Sequence, residues 1–240
     1  MENLAMPSRP THSPPYPADG ASPHRDAERA PVLLLDLDGV LVDTRPVMES
    51  AWRRVQEDHG LDVPFEEYAR HLGRPFTEIM SRLDLVEVEK IRHTYEKAST
   101  DFSHLARQFD GTAEVLHSLA AADWRLGVVT SKPLDRADPL LSRLGVSFAT
   151  VRTPDGVGRG KPAPDPILLA LVDLGADPSD ALYVGDMAVD QEAAHRAGVS
   201  YVHAGWGYGR PVGPAPVIAA SPADLLRLLV TGPFLEGSLL

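Results

Sequence analysis

Short, unbroken apolar runs recur along the chain and restrict what it can fold into. The first is "VLLLD", ending at Asp36; the others are "WRLGVVT" from Trp124, "ALYVGD" from Ala181 and "VSYVHA" from Val199. Apolarity that is continuous rather than alternating predicts strands buried on both faces, as in a parallel sheet. Helical patterns separate the runs. "TAEVLHSLAAA" from Thr112 places Val115, Leu116 and Leu119 on one face. "DPLLSRLG", "PDPILLALVDLG" and "AVDQEAAHRAG" each stop at a glycine, a usual helix terminator. Alternating strands and helices make βαβ units, so the expected class is α/β with a Rossmann-like parallel sheet.

Two stretches break this rhythm. Residues 1 to 30 are rich in Pro, Ser and charge and have little to bury, so they read as a disordered tail. From Arg45 to Asp110 the pattern is helical throughout, with no strand-like run. The expected division is a tail over 1–30, a core over 31–44 and 112–232, and an inserted helical cap over 45–111.

The composition excludes several functions. The chain has no cysteine, so disulfides, thiolate metal sites and a thiol nucleophile are out. A net charge of -11 argues against a nucleic-acid partner. No apolar run is long enough to span a membrane, and no signal-peptide pattern opens the chain, which fits a cytoplasmic location. Monomer and homodimer both stay open.

Four segments, each expected at the end of a strand, carry the candidate chemistry. Ligands of open α/β sheets bind at the carboxyl ends of the strands. In "LLLDLDGVLVDT", Asp36 and Asp38 are two apart and point to one side of an extended backbone. Two carboxylates there call for a cation or a shared proton, although Asp38–Gly39 alone reads equally well as a turn. In "GVVTSKP", Thr130 and Ser131 can hold anionic oxygens or simply cap a helix. In "GRGKPAPDP", Lys161 can serve as a point charge for phosphate, although a lysine in isolation is more often exposed. In "YVGDMAVDQEAA", Asp186 and Asp190 offer hard oxygen ligands suited to Mg²⁺, or acidic charge at a helix start.

Taken together and in this order, the segments resemble the haloacid dehalogenase superfamily over about Val32 to Gly209. "DLDGVLVDT" resembles its first motif, Thr130 the second, Lys161 the third and "GDMAVD" the fourth. A helical insertion directly after the first motif is similar to the subgroup of phosphoglycolate phosphatases and β-phosphoglucomutases, as is "WGYG" after the last run. The resemblance implies a phosphatase acting on a small phosphorylated metabolite. Asp36 would be the nucleophile and Asp38 the general acid and base. Mg²⁺ would sit on Asp36, the Asp38 carbonyl and Asp186, with Asp190 in support. Thr130, Ser131, Gly39 and Lys161 would surround the phosphoryl group.

The sequence departs from that pattern at Ser131, where phosphoglycolate phosphatase-like members often have Asn, and in "VRTPDGVGRG", which lacks an acidic pattern before the lysine. Asp38 argues against a dehalogenase, and no cap lysine has the setting a phosphonate hydrolase needs. A sugar-phosphate mutase uses the same motifs and stays the nearest rival; a non-catalytic binding protein on this fold would not need all four.

A narrower resemblance lies in "PVMESAWRRV", "PFEEYARHLGRPFTEIM" and "WGYG". These look like phosphatase-like proteins associated with biosynthesis of 3-amino-5-hydroxybenzoate, the ansamycin starter unit, which implies a sugar or aminosugar phosphate substrate in secondary metabolism. Within "HLGRPF", Gly73 is expected to end one helix and Pro75 to start the next. Arg74 between them would lie on a tight loop, either facing the cleft and touching the leaving group or standing as an exposed surface arginine.

Overall fold

The computed structural model describes residues 30–154, 158–213 and 217–231. The expected tail, up to residue 29, lies outside them, as does the core boundary at 232.

Strand β1 (Val32–Leu35) leads through β2 (Val42–Asp43) into four helices: α1 (Arg45–His59), α2 (Phe65–Ala69), α3 (Phe76–Arg82) and α4 (Val88–Asp101). The chain returns through β3 (Arg107–Gln108), α5 (Thr112–Ala121), β4 (Arg125–Val129), α6 (Leu134–Leu141) and β5 (Thr150–Arg152). It closes with α7 (Asp165–Leu174), β6 (Ala181–Gly185), α8 (Ala188–Ala197), β7 (Ser200–Ala204), β8 (Val217–Ala219) and α9 (Pro222–Thr231). Six strands form one parallel sheet in the order β5-β4-β1-β6-β7-β8. Its α/β architecture is the one expected.

The unbroken apolarity of β1 has its physical cause in this layering. Leu33 and Leu35 face a cluster with Val115, Leu116 and Leu119 of α5 and Leu225 and Leu229 of α9. Val32 and Leu34 face the other layer, with Ile167 and Leu171 of α7 and Ala193 and Ala194 of α8. Each fully buried leucine contributes about 2 kcal/mol relative to exposure. The glycine stops are also realised: Gly145, Gly175 and Gly198 take left-handed backbone where their helices end.

Helices α1 to α4 bury a cluster of their own. Trp52, Phe65, Tyr68, Ile79, Met80, Ile91 and Tyr95 lie at its centre, and Trp52 stacks on Tyr68 with ring centroids 4.4 Å apart. Three details differ from the sequence reading. Residues 45 to 110 are not helical throughout: Arg107 and Gln108 pair antiparallel with Val42 and Asp43. Two exposed residues are too short a stretch to carry an apolar run. The helix before Gly73 ends at Ala69, and the intervening residues are turns. Strands β5 and β8 were not foreseen; they are the two edges of the sheet and only three residues each.

Candidate active site

The strand order assembles the site. Because β4, β1 and β6 are neighbours, Thr130, Asp36 and Asp186, which follow them, lie along one edge of the sheet. The ladder continues one step past the strands. The Asp36 amide donates to the Val184 carbonyl at 2.9 Å, and the Thr130 amide to the Arg152 carbonyl at 2.9 Å. Helix α8 then starts two residues beyond Asp186 and brings Asp190 inward, where its carboxylate accepts from the Met187 amide at 3.0 Å.

Asp36, Asp186 and Asp190 are buried, and one carboxylate oxygen from each lies within 4.8 Å of the others. Lys161 enters the same cluster with its side chain 1% exposed; the exposed lysine that the residue suggests in isolation is not what the fold makes of it. Its ammonium is 2.6 Å from Asp190 Oδ1, 3.0 Å from Asp36 Oδ1 and 3.2 Å from the Tyr183 hydroxyl. Three carboxylates around one ammonium leave negative charge unmatched in a desolvated place.

The proton affinities reflect this. Burial lifts the Asp36 carboxyl from its ordinary 3.8 to about 7, against the pull of Lys161 and with repulsion from Asp190 and Asp38 added. Burial, then Asp190 and Asp36, push Asp186 well above the usual carboxylate range. Burial alone would lower the Lys161 ammonium, but Asp190 and Asp36 outweigh it and hold the group charged. The residues fit a divalent cation on a further observation: Asp186 Oδ1 is buried and finds no hydrogen-bond partner among the described residues. Its other oxygen accepts from the Tyr208 amide at 2.7 Å.

Gly39 explains how the loop after β1 can cross so close. Its φ is 84°, and a Cβ there would overlap the Asp186 carboxylate. A side chain at Gly39 would therefore meet both a strained backbone and the acid it covers.

Asp38 is turned toward the cavity under α1 to α4. Its Oδ1 accepts from the Thr44 hydroxyl and lies 3.1 Å from the Lys132 ammonium. Asp36, Asp38, Ser131 and Arg74 border this cavity, together with Lys132, Arg136 and apolar side chains of the helical segment. Thr130 and Lys161 border an adjoining cavity, and Ser131 borders both. Ser131 also bridges the two sides, donating to the Gly73 carbonyl at 2.6 Å. Thr130 accepts from the Lys132 amide at 3.1 Å, a local cap that leaves its hydroxyl proton free to donate. Arg74 reaches the cavity with its guanidinium 2.6 Å from Glu78.

The sequence reading missed Thr44, Lys132, Arg136, Tyr183 and Tyr208. Thr44, Lys132, Tyr183 and Tyr208 stand inside quoted segments, "LVDT", "TSKP", "YVGD" and "WGYG", but nothing in the spacing distinguishes them from cap, turn and core residues. Arg136 reaches the site only through the helix that carries it.

Comparison with known proteins gives the family. The sequence profile of haloacid dehalogenase-like hydrolases matches residues 33–204. N-acetylmuramic acid 6-phosphate phosphatase from Pseudomonas aeruginosa is 33% identical, covering 84% of this chain and 95% of its own. A phosphoglycolate phosphatase from Cupriavidus necator is 32% identical over 82% of this chain and 90% of its own. Among solved structures, a hydrolase from Pseudomonas syringae superposes with a TM-score of 0.75 at 25% identity, covering 83% of this chain and 97% of its own.

Proposed function

The chain belongs to the haloacid dehalogenase-like hydrolases, and we propose that within that family it is a magnesium-dependent phosphatase that cleaves a small phosphomonoester with Asp36 as nucleophile. One observation carries the reading most strongly. Three buried carboxylates converge with a buried lysine, and an unpartnered oxygen of Asp186 is left for a cation.

Asp36, the Asp38 carbonyl and Asp186, with Asp190 behind them, would hold Mg²⁺, which would supply positive charge against the phosphoryl oxygens. The residues of the chain do the rest. An Asp36 carboxylate oxygen attacks phosphorus, and the bond from phosphorus to the substrate alcohol breaks. Asp38 gives its proton to the departing alkoxide. The resulting aspartyl-phosphate is attacked by water, whose proton returns to Asp38; the Asp36–phosphorus bond breaks and phosphate leaves. Thr130, Ser131 and Lys161 hold the phosphoryl oxygens or keep Asp36 oriented, and Gly39 gives room for close approach. Such transfer depends mostly on positioning and charge neutralisation.

The helical segment 45–111 acts as a lid. The phosphoryl machinery is common to all phosphomonoesters, so discrimination belongs to what covers the leaving group, Arg74 included. A sugar or aminosugar phosphate suits this reading; N-acetylmuramic acid 6-phosphate, named for one relative, is of that class. The deciding experiment measures phosphate release from sugar, glycolate and nucleotide phosphates with Mg²⁺ and with EDTA. Release to water that stops on chelation supports the proposal. Transfer of the group to a sugar acceptor would mark a mutase, and activity with metal shown absent would refute the site.

A further inference from the structure

We propose that Arg136 reads the leaving group by receiving an anionic substituent, a carboxylate or a second phosphate, carried on the substrate alcohol. The inference rests on the phosphatase reading and names the class of its substrate.

Arg136 stands on α6 and opens onto the cavity that Asp36 and Asp38 border. Three cations line that cavity, and their engagements differ. Arg74 is held at 2.6 Å by Glu78. Lys132 is held at 3.1 Å by Asp38. Among the described residues, Arg136 reaches only Glu96, at 3.6 Å, beyond hydrogen-bond range. Its Nε is buried and has no hydrogen-bond partner among the described residues.

A guanidinium short of acceptors, on a side chain only 17% exposed, is costly to keep unless something completes it. Glu96 completes it poorly, since it stands on α4, is 42% exposed, and can turn to water. Nor do the neighbouring phenols answer the need. Burial pushes Tyr95 up to about 12 and lifts Tyr68 well above its ordinary value, with the Arg136 charge pulling the other way, so both stay neutral beside it. What fits is an acceptor brought by the ligand. The planar fork of arginine matches the two oxygens of a carboxylate or phosphate edge. Leu72, Phe76 and Ile79 give the same cavity an apolar wall for the body of that alcohol. The substrate would therefore span the cavity, phosphoryl group on Asp36 and second anion on Arg136.

The test uses the full chain with Mg²⁺ and matched series of increasing length: carboxyalkyl phosphates, the corresponding hydroxyalkyl phosphates, and alkane bisphosphates. At one length or more, kcat/KM for an acidic member should exceed its hydroxyl match by at least about tenfold. The series that wins identifies the anion. Arg136→Gln should bring the ratio toward unity, chiefly through KM. Arg136→Lys, which keeps the charge without the fork, should fall between, and Glu96→Gln should keep or raise the preference. A wild-type ratio near unity at every length, or an unchanged ratio in Arg136→Gln, would overturn the inference. If Arg136→Gln fails to fold, the wild-type series and Arg136→Lys decide. Phosphate released without acid preference sinks this inference alone. No release from any phosphate, p-nitrophenyl phosphate included, removes the phosphatase reading and this inference with it.

Discussion

Lys161 and Asp190 form a buried ion pair, Nζ 2.6 Å from Oδ1, with side chains 1% and 0% exposed. Their surroundings make the pair asymmetric. Lys161 also pairs with Asp36 at 3.0 Å, whereas Asp190 faces one cation and also accepts from the Met187 amide and the Tyr183 hydroxyl. Removing one member of a buried pair typically costs about 3–5 kcal/mol. Lys161→Met should therefore destabilise the metal-free protein by about that much at pH 8. Asp190→Asn should cost less, because its amide oxygen can still cap α8 and Asp36 still compensates Lys161. Urea unfolding of the two variants checks the order. Equal losses, or a larger loss for Asp190→Asn, would mean that Lys161 does not hold the cluster together.

Metal and pH should be linked through the same carboxylates. The folded-state affinities of Asp36 and Asp186 for protons are raised, Asp36 to about 7. A carboxyl raised in the folded state favours folding when protonated. Its contribution is full below the unfolded value of 3.8 and is lost as pH rises through the folded one. The metal-free protein should thus lose stability between about pH 4 and pH 8, and Mg²⁺ should restore it by replacing those protons. Thermal unfolding with and without Mg²⁺ should show a larger metal-induced rise in Tm at pH 8 than at pH 5. A rise independent of pH would place the metal elsewhere.

Much of this site was legible in the sequence because its residues follow strands that are apolar without interruption. A strand such as "ALYVG" fixes where Asp186 must lie once the sheet is parallel. What was not legible depends on partners distant in sequence. Burial of Lys161 needs β1, β6 and α8 to converge, and no local pattern around "GRGKPAP" contains that. Strands β5 and β8, at the sheet edges, are only three residues each, too short for periodicity to mark them. Arg74 was expected at the cleft from its loop, but its pairing with Glu78 depends on how α3 sets off from Pro75.

Thr44 offers a test of the acid at position 38. Its hydroxyl donates to Asp38 Oδ1, and Lys132 approaches the same oxygen at 3.1 Å. Thr44→Val is close in shape and removes the donor. If Asp38 protonates the leaving alcohol, its orientation matters most when that alcohol is a poor leaving group. The variant should lower kcat by about tenfold on an alkyl phosphate and much less on p-nitrophenyl phosphate. Equal losses on both substrates would show that Thr44 supports the fold rather than the acid.

Tyr208 ties the metal-facing carboxylate to the start of the helical segment. Its backbone amide donates to Asp186 Oδ2 at 2.7 Å. Its phenol oxygen accepts from the amides of Thr44, at 2.7 Å, and Arg45, at 3.1 Å, and donates to Asp43 at 2.9 Å. Those two amides are at the start of α1, where no intrahelical acceptor exists. Tyr208→Phe removes the hydroxyl and leaves the backbone in place, which separates the two functions. The Arg45 amide keeps Asp43 Oδ1 at 3.1 Å, but orphaning the partly buried Thr44 amide costs about 1–3 kcal/mol, so Tm should fall. The angle at which α1 leaves β2 should loosen, raising KM for the preferred substrate. Mg²⁺ affinity, measured by calorimetry, should be unchanged, because the amide contact to Asp186 needs no side chain. A variant with weakened Mg²⁺ binding and an unaltered Tm would reverse the assignment: the hydroxyl would then serve the carboxylate cluster and not the start of α1.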